Sequence, residues 1–283
     1  MKTTDLMDPA IIAALKEDIG GKDATTTALI LPSVHVKADI EFKQDGILCG
    51  LEIAERVFGI VDESLHFLPV LKDGAEVQKG QEVAYIEGSA RGILFAERVA
   101  LNFLGRLSGI ATRTREFVDK VKGTRASILD TRKTSPNLRL FERYAVRVGG
   151  GVNHRFGLFD QILIKDNHLR ILRNEALVTI VARARKGALK NTVIGLEVKN
   201  LAEFREALKS DADYILLDNM SLDVVEQAVD LRRKTNSKKE LEVSGGITLD
   251  NVRDYAETGV ERISVGAITH SAPSVDVSLN IVG

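Results

Sequence analysis

The sequence lacks the features of a disulfide-stapled, membrane-spanning or strongly charged protein. Among 283 residues there is one cysteine, Cys49, so a disulfide framework is impossible and a cytoplasmic location fits. Lys plus Arg (39) and Asp plus Glu (40) give a net charge of −1, which provides no general attraction to nucleic acid or to an anionic membrane. No apolar run approaches the roughly 20 residues of a membrane helix. Residues 1–20 read as an amphipathic helix containing acids, unlike a secretory signal.

Motifs of several enzyme classes are missing as well. The sequence has no Gly-x-Ser-x-Gly, and Cys49 has no obvious catalytic partner, so we predict no nucleophilic triad. His35, His66, His168 and His270 show no metal-ligand spacing, so we predict no zinc site.

The chain before about residue 110 mixes short strands with helices. Val36–Phe42 alternates as a strand does, and Leu51–Ile60 looks helical. Two turn-rich strand segments follow, and residues 93–122 form a helical stretch that we expect to be interrupted around Gly105 and Gly109. The strand rhythm is that of a small barrel-sandwich module, and we interpret this part as a scaffold.

After residue 125 the pattern becomes strand, loop and helix, repeated. Six short runs are predicted as strands, namely Ala126–Leu129, Gln161–Ile164, Val193–Val198, Tyr214–Leu217, Leu241–Val243 and Arg262–Val265. Alternating βα units imply a parallel sheet covered by helices. Because no dinucleotide fingerprint opens the first βα turn, a small closed barrel fits better than an open doubly wound sheet, although the open sheet has the same alternation.

Polar residues or glycines end all six predicted strands. These ends are Asp130–Thr134, Lys165–His168, Glu197, Asp218-Asn219, Ser244–Gly246 and Gly266-Ala267. In a parallel α/β barrel the active site lies at the carboxyl ends of the strands. One polar strand end is ordinary, whereas six in register predict a functional site.

The last two strand ends indicate a phosphate site. The glycines after these strands let backbone N–H groups approach an anion closely, and we expect a helix capped by Thr248 and ended by Gly259 to point its N-terminus the same way. Barrel enzymes often bind phosphate after their last two strands. Two tight turns that need glycine would be the purely structural explanation.

Charged residues indicate a second anion and a metal or a ribose. Arg132, Lys133 and Lys165 follow strands, where a merely solvated basic face is the less favoured explanation, whereas nearby Arg139 and Arg147 fit structural or surface roles. A pair of carboxylates at the mouth of a phosphate site typically holds Mg²⁺ or ribose hydroxyls. Neutralising the neighbouring cations is the structural alternative for these acids, which are Glu197 and Asp218.

The sequence resembles a known family, quinolinate phosphoribosyltransferase. The most specific segments are Arg132-Lys133, the run Gly-Gly-Gly-Val-Asn-His-Arg at 149–155 and Ile-Lys-Asp-Asn-His at 164–168. The likeness extends from Glu17 to about Leu279 and includes LEVKNLAE, YILLDNM, EVSGGIT and ISVGAITHS. It implies transfer of a phosphoribosyl group from phosphoribosyl pyrophosphate to quinolinate with decarboxylation, which gives nicotinate mononucleotide for NAD biosynthesis. The implied cofactor is Mg²⁺, with no organic cofactor.

The resemblance also implies roles for individual residues. The catalytic set would be Lys133, Lys165, Glu197 and Asp218. The implied contacts are Thr131, Arg132, Lys133, His154, Arg155 and Lys165 for quinolinate, Glu197 and Asp218 for ribose and Mg²⁺, and Ser244, Gly245, Gly246, Val265, Gly266 and Ala267 for the 5′-phosphate. Arg98 resembles an arginine that reaches the active site from the partner subunit. One departure is Gly195, where relatives often carry a glutamate. We expect this position to point away from the mouth of the site at Glu197 or to sit lower in the barrel, with a small effect.

The implied architecture is an N-terminal α/β sandwich domain and a C-terminal six-stranded parallel α/β barrel. We expect the sandwich at residues 1–112, joined by 271–283, and the barrel at 113–270, assembled as a homodimer with shared sites and possible higher assembly. Two related enzymes are the alternatives within this fold, nicotinate phosphoribosyltransferase and the molybdate-utilisation homologue. A non-catalytic phosphate-binding barrel is the alternative outside catalysis, and it would not need the whole charged set.

Overall fold

The structure is a computed structural model that describes residues 6–282. Its contacts separate two compact units, one of Met1–Arg115, Thr134–Gly150 and Ile268–Gly283, the other of Glu116–Lys133 and Gly151–Ala267. Residues 134–150 thus belong to the first unit by their contacts, whereas the predicted barrel at 113–270 includes them. The predicted domain bounds stay a prediction. None of the helices within residues 6–282 combines the length and apolarity that crossing a membrane requires.

The helices and strands follow one another as the sequence pattern indicated. Up to residue 120 they are α1 Asp8–Ile19, α2 Ala24–Leu29, β1 His35–Phe42, β2 Gly46–Ile47, α3 Leu51–Val61, β3 His66–Pro69, β4 Glu76–Val77, β5 Glu82–Ser89 and α4 Ala90–Lys120. Beyond it they are β6 Ser127–Leu129, α5 Arg139–Val148, β7 Ile162–Ile164, α6 Asp166–Ile171, α7 Leu177–Gly187, β8 Ile194–Val198, α8 Leu201–Ala207, β9 Tyr214–Asp218, α9 Leu222–Lys234, β10 Glu240–Ser244, α10 Val252–Glu257, β11 Arg262–Ser264, α11 Ala267–His270 and β12 Val277–Val282. Residues 1–5 of the predicted N-terminal helix lie outside the described residues.

The first unit is built on an antiparallel sheet with the order β12-β1-β5-β3. Alternate residues of β1, among them Ala38, Ile40 and Phe42, are fully buried, as the predicted alternation requires. The strand that is last in the chain, β12, pairs along β1 from Phe42↔Val277 to Lys37↔Val282. The segment after the barrel is therefore a strand of the first unit.

Helix α4 runs without a break, and the predicted interruption at two glycines is wrong. A Cβ at Gly105 would lie 2.6 Å from the carbonyl oxygen of Val275, and one at Gly109 would overlap the carbonyl oxygen of Pro273. The Val275 N–H also donates a hydrogen bond of 3.0 Å to the Gly105 carbonyl. These glycines therefore serve the close approach of the chain at 273–275 rather than a bend in the helix.

The second unit contains the parallel sheet, with the order β6-β11-β10-β9-β8-β7. From β7 to β11 each strand lies beside the next one in sequence, and β11 lies beside β6. This is the singly wound order of a barrel and not the reversed order of a doubly wound sheet. Within residues 6–282 no ladder joins β6 to β7; there Val152 forms a single parallel bridge to Leu129 of β6. The predicted strands and the parallel α/β fold are confirmed, and each strand end lies within one residue of its predicted position.

One helix of this unit begins later than predicted. Helix α10 starts at Val252, and Thr248 instead begins a turn in which its N–H donates to the side chain of Asn251 at 2.8 Å. Gly259 follows the end of α10 with φ = +95°, as a C′ glycine should.

Candidate active site

The register of the parallel sheet aligns four strand ends at one edge. Leu129 pairs with Ser264, Ser264 with Ser244, and Ser244 with Asp218. Val198 ends its strand one step lower, since it pairs with Leu217, and Ile164 ends three steps lower, since it pairs with Leu196, the partner of Ile215. Side chains that follow these strands therefore share the carboxyl edge of the sheet, where parallel barrels carry their active sites.

An acidic pair occupies the middle of this edge. Glu197 is buried, and its pKa is raised by burial and by the negative charge of Asp218. The N–H of Asp166 (3.4 Å from Oε1) and the charge of Lys165 act in the opposite direction. Asp218 is more accessible and accepts a 3.2 Å hydrogen bond from Ser244 Oγ. Two close carboxylates, one of them poorly solvated, attract a cation or a donor of hydrogen bonds.

Two arginines of the second unit, Arg155 and Arg132, form a basic group at another part of the same sheet edge. Arg155 is buried, and its pKa is lowered by burial and by the positive charge of Arg132. Its Nη1 donates to the carbonyl of Gln161 at 3.2 Å. Lys133 and Lys165 are both exposed. The arrangement brings two guanidinium groups near each other at a desolvated position, which favours a bound anion.

The ring of His154 already has protein partners at both nitrogens. Nδ1 accepts a 2.7 Å hydrogen bond from the backbone N–H of Arg155, and Nε2 lies 3.2 Å from Glu242 Oε1 and 3.3 Å from the Tyr214 hydroxyl. The backbone N–H of His154 donates to Asp130 Oδ1 at 2.6 Å. This geometry differs from the direct carboxylate contact that the resemblance implies for His154, and that contact stays a prediction.

A layer of polar side chains beneath the carboxyl edge of the sheet was not predicted from the sequence. Glu242 is fully buried and accepts hydrogen bonds from Arg262 Nε (2.9 Å) and Ser264 Oγ (2.5 Å). Burial alone would raise the pKa of Glu242, but the hydrogen bonds from His154 and Ser264 and the charge of Arg262 outweigh it and lower the pKa. The available signal was a polar residue two positions before two of the predicted strand-end residues, Glu242 before Ser244 and Ser264 before Gly266, since alternate residues share a face.

The turn after β10 is shaped for close approach to a ligand. Gly245 (φ +89°) and Gly246 (φ +64°) both adopt left-handed backbone conformations. A Cβ on Gly245 would overlap the side-chain amide of Asn219, so this position excludes other residues on two grounds. Val265, in contrast, donates its N–H to the carbonyl of Leu129 at 2.9 Å, so its amide belongs to the sheet.

Two further expectations concern a metal and an arginine of the first unit. In the described part of the chain no three His, Cys, Asp or Glu side chains converge to hold a metal ion. The pair Glu197 and Asp218 could supply at most part of a coordination shell. Arg98 lies on α4, its side chain is 61% exposed, and its Nη2 lies 3.9 Å from Glu97 Oε1. Its role at a partner's site stays a prediction.

Comparisons with known proteins cover nearly the whole chain. The family model described as quinolinate phosphoribosyl transferase, N-terminal domain, matches residues 23–108, and the corresponding C-terminal domain matches residues 110–280. A nicotinate-nucleotide pyrophosphorylase (carboxylating) of Mycobacterium leprae is 40% identical over 282 residues, which span 98% of each chain. A probable enzyme of that name from Bacillus subtilis is 41% identical over 94% of this chain and 90% of its own. The crystal structure of NadC from Streptococcus pyogenes matches with a TM-score of 0.93 at 40% identity, covering 100% of this chain and 99% of that one.

Proposed function

This chain belongs to the quinolinate phosphoribosyltransferase family, and from that premise we propose that it transfers the phosphoribosyl group of phosphoribosyl pyrophosphate to quinolinate. The products are nicotinate mononucleotide, pyrophosphate and carbon dioxide. The enzyme is a pentosyltransferase of NAD biosynthesis.

One observation of the site carries the acceptor assignment. The buried guanidinium of Arg155 and the charge of Arg132 repel each other at a desolvated position. Two guanidinium groups close together at a poorly solvated position favour a bound anion, and a ligand with two carboxylates suits such a pair. Arginine suits planar carboxylates because its donors form a fork, while Lys165 adds a point charge from the neighbouring strand end.

The reaction needs positioning and charge stabilisation more than proton transfer. The pyridine nitrogen has its own lone pair, so its attack on the anomeric carbon requires no general base. Loss of the carboxylate beside that nitrogen leaves an electron pair next to a positive ring nitrogen, so the substrate accommodates the charge itself. In this proposal Arg132, Arg155 and Lys165 hold the acceptor, and Lys133 lies between the acceptor and the departing pyrophosphate.

The donor is held along the other strands. Glu197 and Asp218 accept hydrogen bonds from the ribose hydroxyls, and Ser244, Gly245, Gly246, Gly266 and Ala267 surround the 5′-phosphate, with Val265 holding the strand end through its sheet hydrogen bond. The residues fit Mg²⁺, since this ion is commonly bound by one or two carboxylates together with water and substrate phosphates. When bound, it would neutralise the charge of the pyrophosphate.

The proposal includes a cytoplasmic homodimer with shared active sites. A single cysteine, Cys49, whose pKa is raised by burial in the first unit, fits a reducing compartment. The exposed Arg98 would complete the site of the partner subunit, as twofold symmetry allows. The partners are the two small substrates, and neither nucleic acid nor membrane has a role.

An acceptor assay tests this function. With phosphoribosyl pyrophosphate and Mg²⁺, quinolinate should give nicotinate mononucleotide and carbon dioxide. Nicotinate lacks one carboxylate, and leaving a buried charge unpaired costs about 2–5 kcal/mol, so its kcat/KM should be lower by at least about 30-fold. Comparable kcat/KM for the two acceptors would reject the dicarboxylate assignment. Absence of turnover with either would favour the non-catalytic phosphate-binding barrel.

A further inference from the structure

The ring of Tyr214 occupies the space where a side chain of Gly195 would be. The two residues are register partners on β8 and β9, and Tyr214 is only 2% exposed. A Cβ on Gly195 would overlap Cζ and the hydroxyl of Tyr214 and lie 2.7 Å from Cε1. Gly195 is not among the glycines with positive φ. Its lack of a side chain therefore makes room for the ring and does not serve an unusual backbone conformation.

Two other groups fix the Tyr214 ring. The guanidinium carbon of Arg262 lies over the ring, 4.5 Å from its centroid. The ring of His154 meets it edge-on, with centroids 6.0 Å apart and an interplanar angle of 73°. Gly195, Arg262 and His154 thus contact Tyr214 at different parts of its ring, and its hydroxyl lies 3.3 Å from His154 Nε2.

His154 connects this tyrosine to Arg155. A backbone N–H can only donate, so Nδ1 of His154 must carry a lone pair to accept from the Arg155 N–H at 2.7 Å. The proton of the neutral ring is then on Nε2, which faces both Glu242 and the Tyr214 hydroxyl. The orientation of the imidazole is therefore set at one end by Tyr214 and Glu242, and it holds the backbone of Arg155 at the other.

We infer that Tyr214 is a positioning residue for the acceptor, because its hydroxyl fixes the ring of His154 and, through it, the backbone that carries Arg155. This inference rests on the proposed function, in which Arg155 binds a carboxylate of quinolinate. It assigns to Tyr214 no contact with either substrate. A tyrosine that only filled the core would leave acceptor binding independent of its hydroxyl.

Tyr214→Phe separates the two roles, since it keeps the ring over Gly195 and removes the hydroxyl. We expect KM for quinolinate to rise roughly threefold to tenfold, the effect of losing one hydrogen bond, while KM for phosphoribosyl pyrophosphate stays within twofold of wild type. The matched control is Tyr255→Phe in the same unit, which removes a hydroxyl that donates to the Met220 carbonyl at 3.0 Å. The control should change neither KM.

The outcomes separate this inference from the function on which it rests. A wild-type protein that does not turn over quinolinate refutes the proposed function before any variant is measured. An active wild type together with unchanged KM for quinolinate in Tyr214→Phe refutes only the positioning role. An equal rise of both KM values, or a variant that no longer folds, would mean that the hydroxyl serves the fold in general, and either result also overturns the inference. Selective loss of quinolinate affinity in the folded variant supports it.

Discussion

Replacing Glu242 by glutamine should reveal how much the polar layer beneath the site contributes to stability. Glu242 is 0% exposed, and it accepts hydrogen bonds from Arg262 Nε at 2.9 Å and Ser264 Oγ at 2.5 Å. Removing one partner of a buried ion pair costs about 3–5 kcal/mol. Arg262 is 21% exposed and has a second acid, Glu240, at 3.5 Å, so the expected loss is smaller. Glu242→Gln should therefore lower the free energy of unfolding by about 2–4 kcal/mol and the Tm by roughly 3–7 °C.

Glu240→Gln is the matched control, since it lies on the same strand and faces the same arginine. Its side chain is 55% exposed, so its loss should cost less than about 1 kcal/mol. The pKa of Glu242 is lowered in the folded protein, so its contribution is present above its ordinary value of about 4.5 and is lost as pH falls through the lower folded value. Urea unfolding at pH 7 and at successively lower pH should show the difference between wild type and Glu242→Gln shrinking in acid. Equal losses in the two variants, or a pH-independent difference, would refute the reasoning.

Three further predictions concern the proposed site. Lys165→Ala should lose most activity yet melt close to wild type, because Lys165 is exposed; near-normal turnover with a much lower Tm would indicate a structural lysine. Asp218→Asn should weaken binding of phosphoribosyl pyrophosphate in a Mg²⁺-dependent way, measured as donor KM across a Mg²⁺ titration; an unchanged KM throughout would argue against its donor role. Co-expressed Arg98→Ala and Lys165→Ala chains should recover roughly a quarter of wild-type activity, because about half the dimers are mixed and one of their two sites is whole. Verified mixed dimers without recovered activity would exclude a shared site.

The strands of the barrel could be predicted from the sequence because short β-rich runs alternate with helical stripes. Helix α4 was predicted wrongly at Gly105 and Gly109, because glycine within a helix usually lowers the stability of the helix. The reason for both glycines is the chain at 273–275, more than 160 positions later, where Val275 donates to the Gly105 carbonyl. A single sequence carries no local sign of such a contact.

The strand-end residues of the site were predictable because parallel strands end at a common edge. The layer beneath them was not, since Tyr214, Glu242 and Arg262 lie at the first or a middle position of their strands and look like isolated polar residues. Only the register between strands, in which Glu242 pairs with both Leu216 and Arg262, reveals that they form one network. The steric reason for glycine at position 195 likewise becomes apparent only when its register partner Tyr214 is known.

The pairing of β1 with β12 has a consequence for the order in which the chain can fold. Partners in this ladder are 235 positions apart at Phe42↔Val277 and 245 apart at Lys37↔Val282. During synthesis β1 can pair with β5 early, but its other edge stays open until residues 277–282 have left the ribosome. An open strand edge invites pairing with other chains, and contacts of such long separation form slowly. The nascent protein is therefore most exposed to aggregation in the interval before β12 emerges, and loss of that strand would make the exposure permanent.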